Sequence, residues 1–254
     1  MVSLDKLPAN HPGIEFLVNR GHNPKKLSKN YEVSWCENGK PSLVSNRITV
    51  PIYWDDIMVG WQARYIGDTQ GDVKKVWRCS NDECRATFQS DQSQPRVCPV
   101  CNYDEKKPKH PAKWYTSPGL HKQDLFYNFR SAMAWTRFCV LVEGPMDVFR
   151  IGSPKGSDEP GPAMAVLGHT IGKEQIRLLR HWTSSGGFIF MMFDGDVWDK
   201  TIKQAERLQG EKGFKGKVIP VMMLPHEDPG DLDHEAIWQR IRESANLFSI
   251  RCPF

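Results

Sequence analysis

Acidic residues stand just past three stretches that read as β-strands, and this placement constrains the fold more than any other feature of the chain. Glu143 follows Phe138 to Val142, Asp194 and Asp196 follow Phe188 to Phe193, and Asp228 and Asp231 follow Val218 to Leu224. In an open parallel α/β sheet, ligands bind in the crevice outside the carboxyl ends of the strands. Acids from three strand ends therefore meet in one place, and that much negative charge calls for a cation. Hard carboxylate oxygens suit Mg²⁺ or Mn²⁺. The pattern predicts a metal-dependent phosphoryl-transfer site.

The rest of the chain fits such a sheet. From Phe138 onward strand patterns alternate with helical ones. Lys173 to Trp182 is predicted helical with Ile176, Leu179 and Trp182 on its buried face. Lys200 to Gln209 turns Ile202, Ala205 and Leu208 inward, and a last helix spans about Asp233 to Asn246 with Ile237 and Ile241 on one side. Alternation of this kind implies a mainly parallel sheet covered by helices. Upstream, a helix early in the chain places Ile14, Leu17 and Val18 on one face, and Pro24 marks a turn after it. Residues 47–52 and 58–66 read as two strands joined by a turn at Trp54 to Asp56. Asp194 and Asp196, two apart on an extended segment, are expected to point the same way. Asp147, Asp199 and Asp233 have a simpler reading as helix caps.

Composition changes at Gly67. From there to Lys113 the chain is polar and holds four of the seven cysteines, and Lys106 to Pro111 forms a stiff basic connector. Cys79-x4-Cys84 and Cys98-x2-Cys101 are paired knuckles, the arrangement that supplies four thiolates to a tetrahedral structural Zn²⁺. A closed four-cysteine site does not catalyse, but it can hold a small ribbon rigid. Trp77, Phe88, Tyr103 and Trp114 lie around it with Lys74, Lys75, Arg78, Arg85 and Arg96 interleaved. Aromatic faces for bases and cations for phosphates suit a single nucleic-acid strand, with Trp77, Arg78, Arg85 and Phe88 the leading contacts. The alternative is that these aromatics only pack the ribbon. Cys139 reads as a core residue of its strand; Cys36 and Cys252 have no partners. The net charge of +4 is uneven: +1 over residues 1–70, +3 over 71–113 and zero over 114–254. A basic middle beside an acidic pocket suits a polyanionic substrate.

The motifs resemble those of one known family. Val142-Glu143-Gly144-Pro145-Met146-Asp147, then Ala165 to Thr170, then Phe193-Asp194-Gly195-Asp196, then Asp228-Pro229-Gly230-Asp231, look like the TOPRIM domain of DnaG-type replicative primases. Arg47 to Ile52, Val59 to Arg64, and Lys113 to Pro118 followed by His121-Lys122 and Leu125 to Asn128 look like the basic amino-terminal part of the primase core. The resemblance covers most of residues 12–70 and 113–235. The implied fold class is α/β: a Rossmann-like, mainly parallel TOPRIM domain at 136–254, and a mixed α+β amino-terminal subdomain at 1–70 and 113–135. A zinc ribbon at 71–112 is inserted into that subdomain.

Three departures stand out. No zinc domain precedes residue 12; the ribbon sits instead between Arg64 and Lys113, where relatives have a short loop. Trp198 and Asp199 follow the Asp-x-Asp motif where small residues are usual, with the potential to narrow or recharge the site. The last acidic motif carries one extra residue.

The resemblance implies short RNA synthesis on single-stranded DNA from NTPs. Asp194, Asp196, Asp228 and Asp231 would serve Mg²⁺ or Mn²⁺, with Glu143 as ligand or proton-transfer group. Arg64, Lys122 and more weakly Arg47 would bind nucleotide or template phosphates. The same acids would also serve a TOPRIM-type nuclease, and a degenerate site would leave a non-catalytic single-strand-binding accessory. No phosphate loop of the G-x4-G-K-[ST] kind is present and little chain follows Asp231, so a separate replicative helicase is the expected partner. The polar start lacks the apolar segment of a signal peptide, and no run approaches the ~18 apolar residues of a membrane span. The expected location is the cytoplasm, that of the host if the chain is phage-encoded, as the compact form of the resemblance suggests.

Overall fold

The computed structural model describes residues 1–38, 44–67, 75–79, 81–90, 97–103, 112–135 and 137–250, with the backbone alone for 75–78 and 87–90. The basic connector Lys106 to Pro111, Lys74, Arg96 and Cys252 lie outside the described residues.

Four parallel strands form the carboxyl-terminal sheet: β8 (Phe138–Val142), β9 (Ala163–Ala165), β10 (Phe188–Met191) and β11 (Lys217–Pro220). Their spatial order is β11-β10-β8-β9, every neighbouring pair parallel. Side chains alternate between the two faces as the pleat requires. Phe138, Val140 and Val142 enter one core with Phe190 and Ile219, while Cys139 and Leu141 enter a second with Ile189, Met191 and Val218. Helices α4 (Pro145–Ile151) and α7 (His234–Leu247) cover the first face through Phe149, Ile237, Trp238 and Ile241. Helices α5 (Lys173–Trp182) and α6 (Trp198–Gln209) cover the second through Ile176, Leu179, Ala205 and Leu208. Helix α3 (Phe129–Met133) also lies on the second face, where Ala132 and the preceding Phe126 are fully buried.

The first core continues into the amino-terminal half, which makes the two halves one packed body. Leu17, Leu27, Ile48, Val50 and Ile52 share it with Phe149 and Val142. An antiparallel sheet runs in the order β1 (Val2–Ser3), β2 (Ser34–Cys36), β3 (Arg47–Trp54), β4 (Ile57–Tyr65) and β7 (Trp114–Thr116). Strands β3 and β4 meet at Asp55 and Asp56, both left-handed at φ 52° and 65°. Such a two-residue turn follows the natural twist of a hairpin.

Helix α1 (Pro12–Asn19) buries Ile14 and Leu17, but Val18 is 53% exposed, contrary to the predicted face. Pro24 opens helix α2 (Pro24–Tyr31) instead of marking a turn. The Asn23 side chain accepts the Lys25 and Lys26 N–H groups, and proline at the first helical position loses no hydrogen bond.

The cysteine segment is an excursion between the paired strands β4 and β7, where Arg64 lies opposite Trp114. Its hairpin joins β5 (Lys75–Arg78) to β6 (Thr87–Ser90), with Trp77 opposite Phe88. Among the described residues, no helix is long and apolar enough to cross a membrane.

Candidate active site

Chain order and spatial order of the parallel strands differ in a way that marks a place. The chain runs from β8 to β9 on one side, then crosses back to put β10 on the other side of β8. Adjacent strands whose connections leave in opposite directions open a crevice at their carboxyl ends. Glu143 follows β8 directly and Asp194 stands three residues past β10, so both acids border it. The Asp194 N–H approaches Glu143 Oε1 at 3.4 Å.

A cavity of about 280 Å³ occupies this crevice. Its acidic side is Glu143, Asp147, Asp194 and Asp228; Arg20, Arg64, Lys113 and Lys122 face them. Asp228 reaches the cavity because its loop packs on Gly195. A Cβ at Gly195 would stand 1.8 Å from the Leu224 carbonyl oxygen, and the Gly195 N–H donates to Glu227 O at 2.8 Å. Asp147 and Asp228 are close as well, since the Oδ1 atoms of both lie 3.0 Å from the point where a Gly230 Cβ would be.

Crowding and burial hold these carboxyls protonated more readily than usual. Glu143 is pushed up to about 7, by burial first and then by Asp228, against the opposing Asp194 N–H. Asp194 is likewise raised to about 7 by burial, Glu143 and Asp228. Asp147 lies well above its ordinary range because it is buried beside Asp228 and Asp194. Burial and mutual crowding disfavour the charged form of this set, and its hard oxygen donors fit a divalent cation.

Across the cavity, Arg64 is 8% exposed, with its guanidinium 5.8 Å from the Phe16 ring centre and 5.5 Å from that of Trp114. Burial and the neighbouring Arg20 bring it down to about 10, so it stays charged at neutral pH. The buried Nε atoms of Arg64 and Arg20 have no hydrogen-bond partner among the described residues. Lys122 is set by Gln175, a fully buried side chain that donates to the carbonyls of Lys122, Leu125 and Val166 at 3.1, 2.6 and 3.1 Å. Two ionic walls of opposite sign suit an anion that carries its own cation, as a metal-bound phosphate does.

Not every predicted residue comes to this cavity. Asp196 departs from the expected parallel with Asp194, because extended structure ends at Met191 and residues 195–197 form a 3-10 turn. Its side chain is 62% exposed, and Oδ1 accepts the His226 N–H at 2.9 Å. Asp231 stands at the rim in an ion pair with Arg20 at 2.5 Å. Arg47 is buried in the sheet, donating to the Ala63 and Ala112 carbonyls at 3.2 and 2.9 Å beneath the Tyr65 ring, and does not line the cavity. Trp198 and Asp199 open α6 and do not line it either, so they leave its width unchanged. The strand expected over Val218 to Leu224 ends at Pro220, and its last residues form the loop that carries Asp228.

Sequence reasoning passed over four charged or ionisable cavity residues, among them Lys113, which stood in a quoted motif without a role. Asp147 was taken for a cap, and its Oδ2 does accept the Gly144 N–H at 2.9 Å, but its other oxygen belongs to the acid cluster. Arg20 carried no motif; only its place at the end of α1 marks it. His169, whose Nδ1 lies 2.5 Å from Glu143 Oε2, stood in a quoted motif without a role. Asp233, by contrast, is only a cap, accepting the Ala236 N–H at 2.8 Å.

The four cysteines form the second site. Cys79, Cys84, Cys98 and Cys101 bring their Sγ atoms within 4.8 Å of one another, as a tetrahedral zinc site requires. Arg85, an expected strand contact, is exposed and paired with Asp82 at 2.9 Å. The side chains of Trp77, Arg78 and Phe88 lie outside the described set.

No protein-family model and no curated protein matches the sequence. Solved structures do match the fold. The Aquifex aeolicus primase, with its zinc-binding and RNA polymerase domains, superposes at a TM-score of 0.63 and 19% identity over 96% of this chain. This is the fold of a DnaG-type primase catalytic core. A DNA primase domain from Pseudomonas aeruginosa matches at 0.61 and 18% identity over 97% of the chain. A DnaG primase catalytic domain bound to single-stranded DNA matches at 0.59 and 17% over 98%. The chain spans 57% of the Aquifex protein's length and 77% of each of the other two.

Proposed function

We propose that this chain is the catalytic core of a DNA primase, making short RNA primers on single-stranded DNA by metal-dependent nucleotidyl transfer. One observation carries the reading: acids from the segments that follow three strands share a single cavity, at the sheet's switch point, with a buried arginine whose Nε has no hydrogen-bond partner among the described residues. A primase fold with a relative bound to single-stranded DNA supports the choice of substrate.

In this reading residues 136–250 act as the TOPRIM domain. Glu143, Asp194 and Asp228 would hold Mg²⁺ or Mn²⁺, with Asp147 supporting them from behind, while Asp196 and Asp231 stay outside the cavity on His226 and Arg20. The cation, once bound, lowers the pKa of the attacking 3′-hydroxyl and stabilises the departing pyrophosphate. Arg64 and Arg20 hold the triphosphate of the incoming NTP against the acid wall, and Lys113 and Lys122 take the template or primer backbone. Held between two aromatic rings, Arg64 offers its fork without first having to be ordered. The zinc ribbon leaves and rejoins the core at Tyr65 and Lys113, on the cavity's edge, and steadies the single strand there. A separate helicase would supply the unwound template.

The test is direct: purified protein, single-stranded DNA, labelled NTPs and Mg²⁺ or Mn²⁺. Short RNA products are expected, and Asp194→Ala lowers their formation at least ~10³-fold without unfolding the chain. Shortened DNA in place of RNA makes the chain a nuclease. Binding without any product makes it an accessory; either result overturns the reading.

A further inference from the structure

Two histidines sit on acids of the predicted cation set. His169 Nδ1 faces Glu143 Oε2 at 2.5 Å, and His226 Nδ1 lies 2.9 Å from Asp196 Oδ1. Only His169 lines the cavity. Resting on the reading of the acid cluster as a cation site, we propose that His169 is a nitrogen donor of that site and makes it prefer Mn²⁺ to Mg²⁺.

Donor chemistry gives the preference. Mg²⁺ demands oxygen ligands and keeps its waters, whereas a first-row ion such as Mn²⁺ also accepts imidazole. Geometry gives the place. A ring nitrogen and a carboxylate oxygen 2.5 Å apart already stand nearly as close as two neighbouring ligands of one ion. Neighbouring donors around an ion with bonds of ~2.1 Å stand about 3 Å apart, so the ring has to withdraw by only ~0.5 Å. The His169 side chain is 60% exposed, which leaves it free to do so.

The backbone fixes the pairing. The Gly168 N–H donates to the carbonyl oxygen of Glu143 itself at 3.2 Å, so the turn bearing His169 is registered on the residue it faces. Leu167, buried yet left-handed at φ 60°, directs that turn over the cavity. Opposite stands Arg64, which lines the same cavity and whose buried Nε has no hydrogen-bond partner among the described residues. An anion held there with its cation would satisfy both walls.

The zinc-loaded full chain and Mn²⁺ provide the test. Electron paramagnetic resonance titration counts bound Mn²⁺ and gives its affinity, and pulsed measurement reads the ¹⁴N coupling of a directly bound imidazole. Expected are an imidazole coupling and an affinity at least about tenfold above that for Mg²⁺, measured by competition. His169→Gln removes the coupling and lowers Mn²⁺ affinity about tenfold while Mg²⁺ affinity stays within about twofold. His226→Gln leaves the coupling intact. Bound Mn²⁺ with no ¹⁴N coupling, or coupling that survives His169→Gln, overturns the proposal. Asp194→Asn separates the two levels. Mn²⁺ binding that it abolishes, but that never showed nitrogen, sinks the role of His169 alone. Mn²⁺ binding that it leaves untouched removes the cation site and the proposed chemistry with it.

Discussion

Cys79, Cys84, Cys98 and Cys101 converge through two short turns a few residues long, whereas Glu143, Asp147, Asp194 and Asp228 reach their cavity from segments that follow three strands of a sheet running from Phe138 to Pro220. The thiolates draw within 4.8 Å, and among the described residues no carboxylate set is drawn so close. The difference follows from what each ion needs. A structural zinc site is closed, and its binding energy folds the segment that makes it. A cation that handles phosphate must keep positions open, so its ligands are held apart by a framework folded without it. A ribbon built on such a site would depend on its metal for its fold, whereas the cavity would not.

Cys98→Ser gives the sharpest break in that comparison. Apparent zinc-binding energies of ~10–16 kcal/mol are at stake in such sites, so bound zinc should fall from one equivalent to none. Protease cleavage should then concentrate between residues 67 and 113. The core transition should move little, because among the described residues neither main core takes one from the ribbon. Template affinity should also fall, about tenfold for a lost stacking platform. Zinc analysis, limited proteolysis and DNA-binding titration read the three effects. A core that melts together with the ribbon would deny their independence.

The two sites were legible in the sequence to different degrees, for the same reason. Four cysteines at knuckle spacing are a local pattern, and a local pattern survives without knowledge of the fold. The acids follow from a rule about topology, which places Glu143 because it directly follows its strand and Asp194 because it stands three residues past its own. The rule weakens within a few residues. Asp196 turned away because one 3-10 turn intervenes, and Asp231 was drawn to Arg20, a residue more than two hundred positions distant. Asp147 looked like a cap because it is one, and nothing local discloses that its second oxygen faces Asp228. Arg47 and Arg64 share the basic strand motif, yet pairing across the sheet sends one into the cavity and the other to the Ala63 and Ala112 carbonyls. Long-range contacts of this kind leave no periodic trace in the chain.

Gly195→Ala probes how strictly the framework holds the acids. The new Cβ would collide with the Leu224 carbonyl, a backbone atom that cannot swing aside, so the loop bearing Asp228 must move. A loss of ~2–3 kcal/mol in folding stability is expected, with incorporation falling further than stability alone explains. Gly168→Ala is the matching control, since a Cβ there meets nothing within 4 Å; its cost should stay below ~0.5 kcal/mol. Denaturant melts of the two variants compare directly. Equal costs would mean that the Gly195 contact does not hold the loop.

The smallest effect is the most telling about the carboxylate framework. Asp194 ionises near its ordinary value of 3.8 in the unfolded chain but at about 7 in the folded one, because burial and Glu143 disfavour its charge. Between those values the folded state keeps a proton that the unfolded state has released. Stability contributed by the protonated acid is thus complete below pH ~4, lost progressively as pH rises to about 7, and absent above it. Asparagine has no proton to lose, so metal-free Asp194→Asn should match the parent near pH 4 and exceed it by ~1–2 kcal/mol at pH 8. That figure is reduced for the solvent that reaches this half-buried carboxyl. Divalent cation should reverse the order at pH 8 by stabilising the parent alone, by about 2.7 kcal/mol at a hundred times its dissociation constant. If thermal melts show the same pH dependence for both proteins, the carboxylates are not in tension, and a framework strained to await a cation is the wrong description of this cavity.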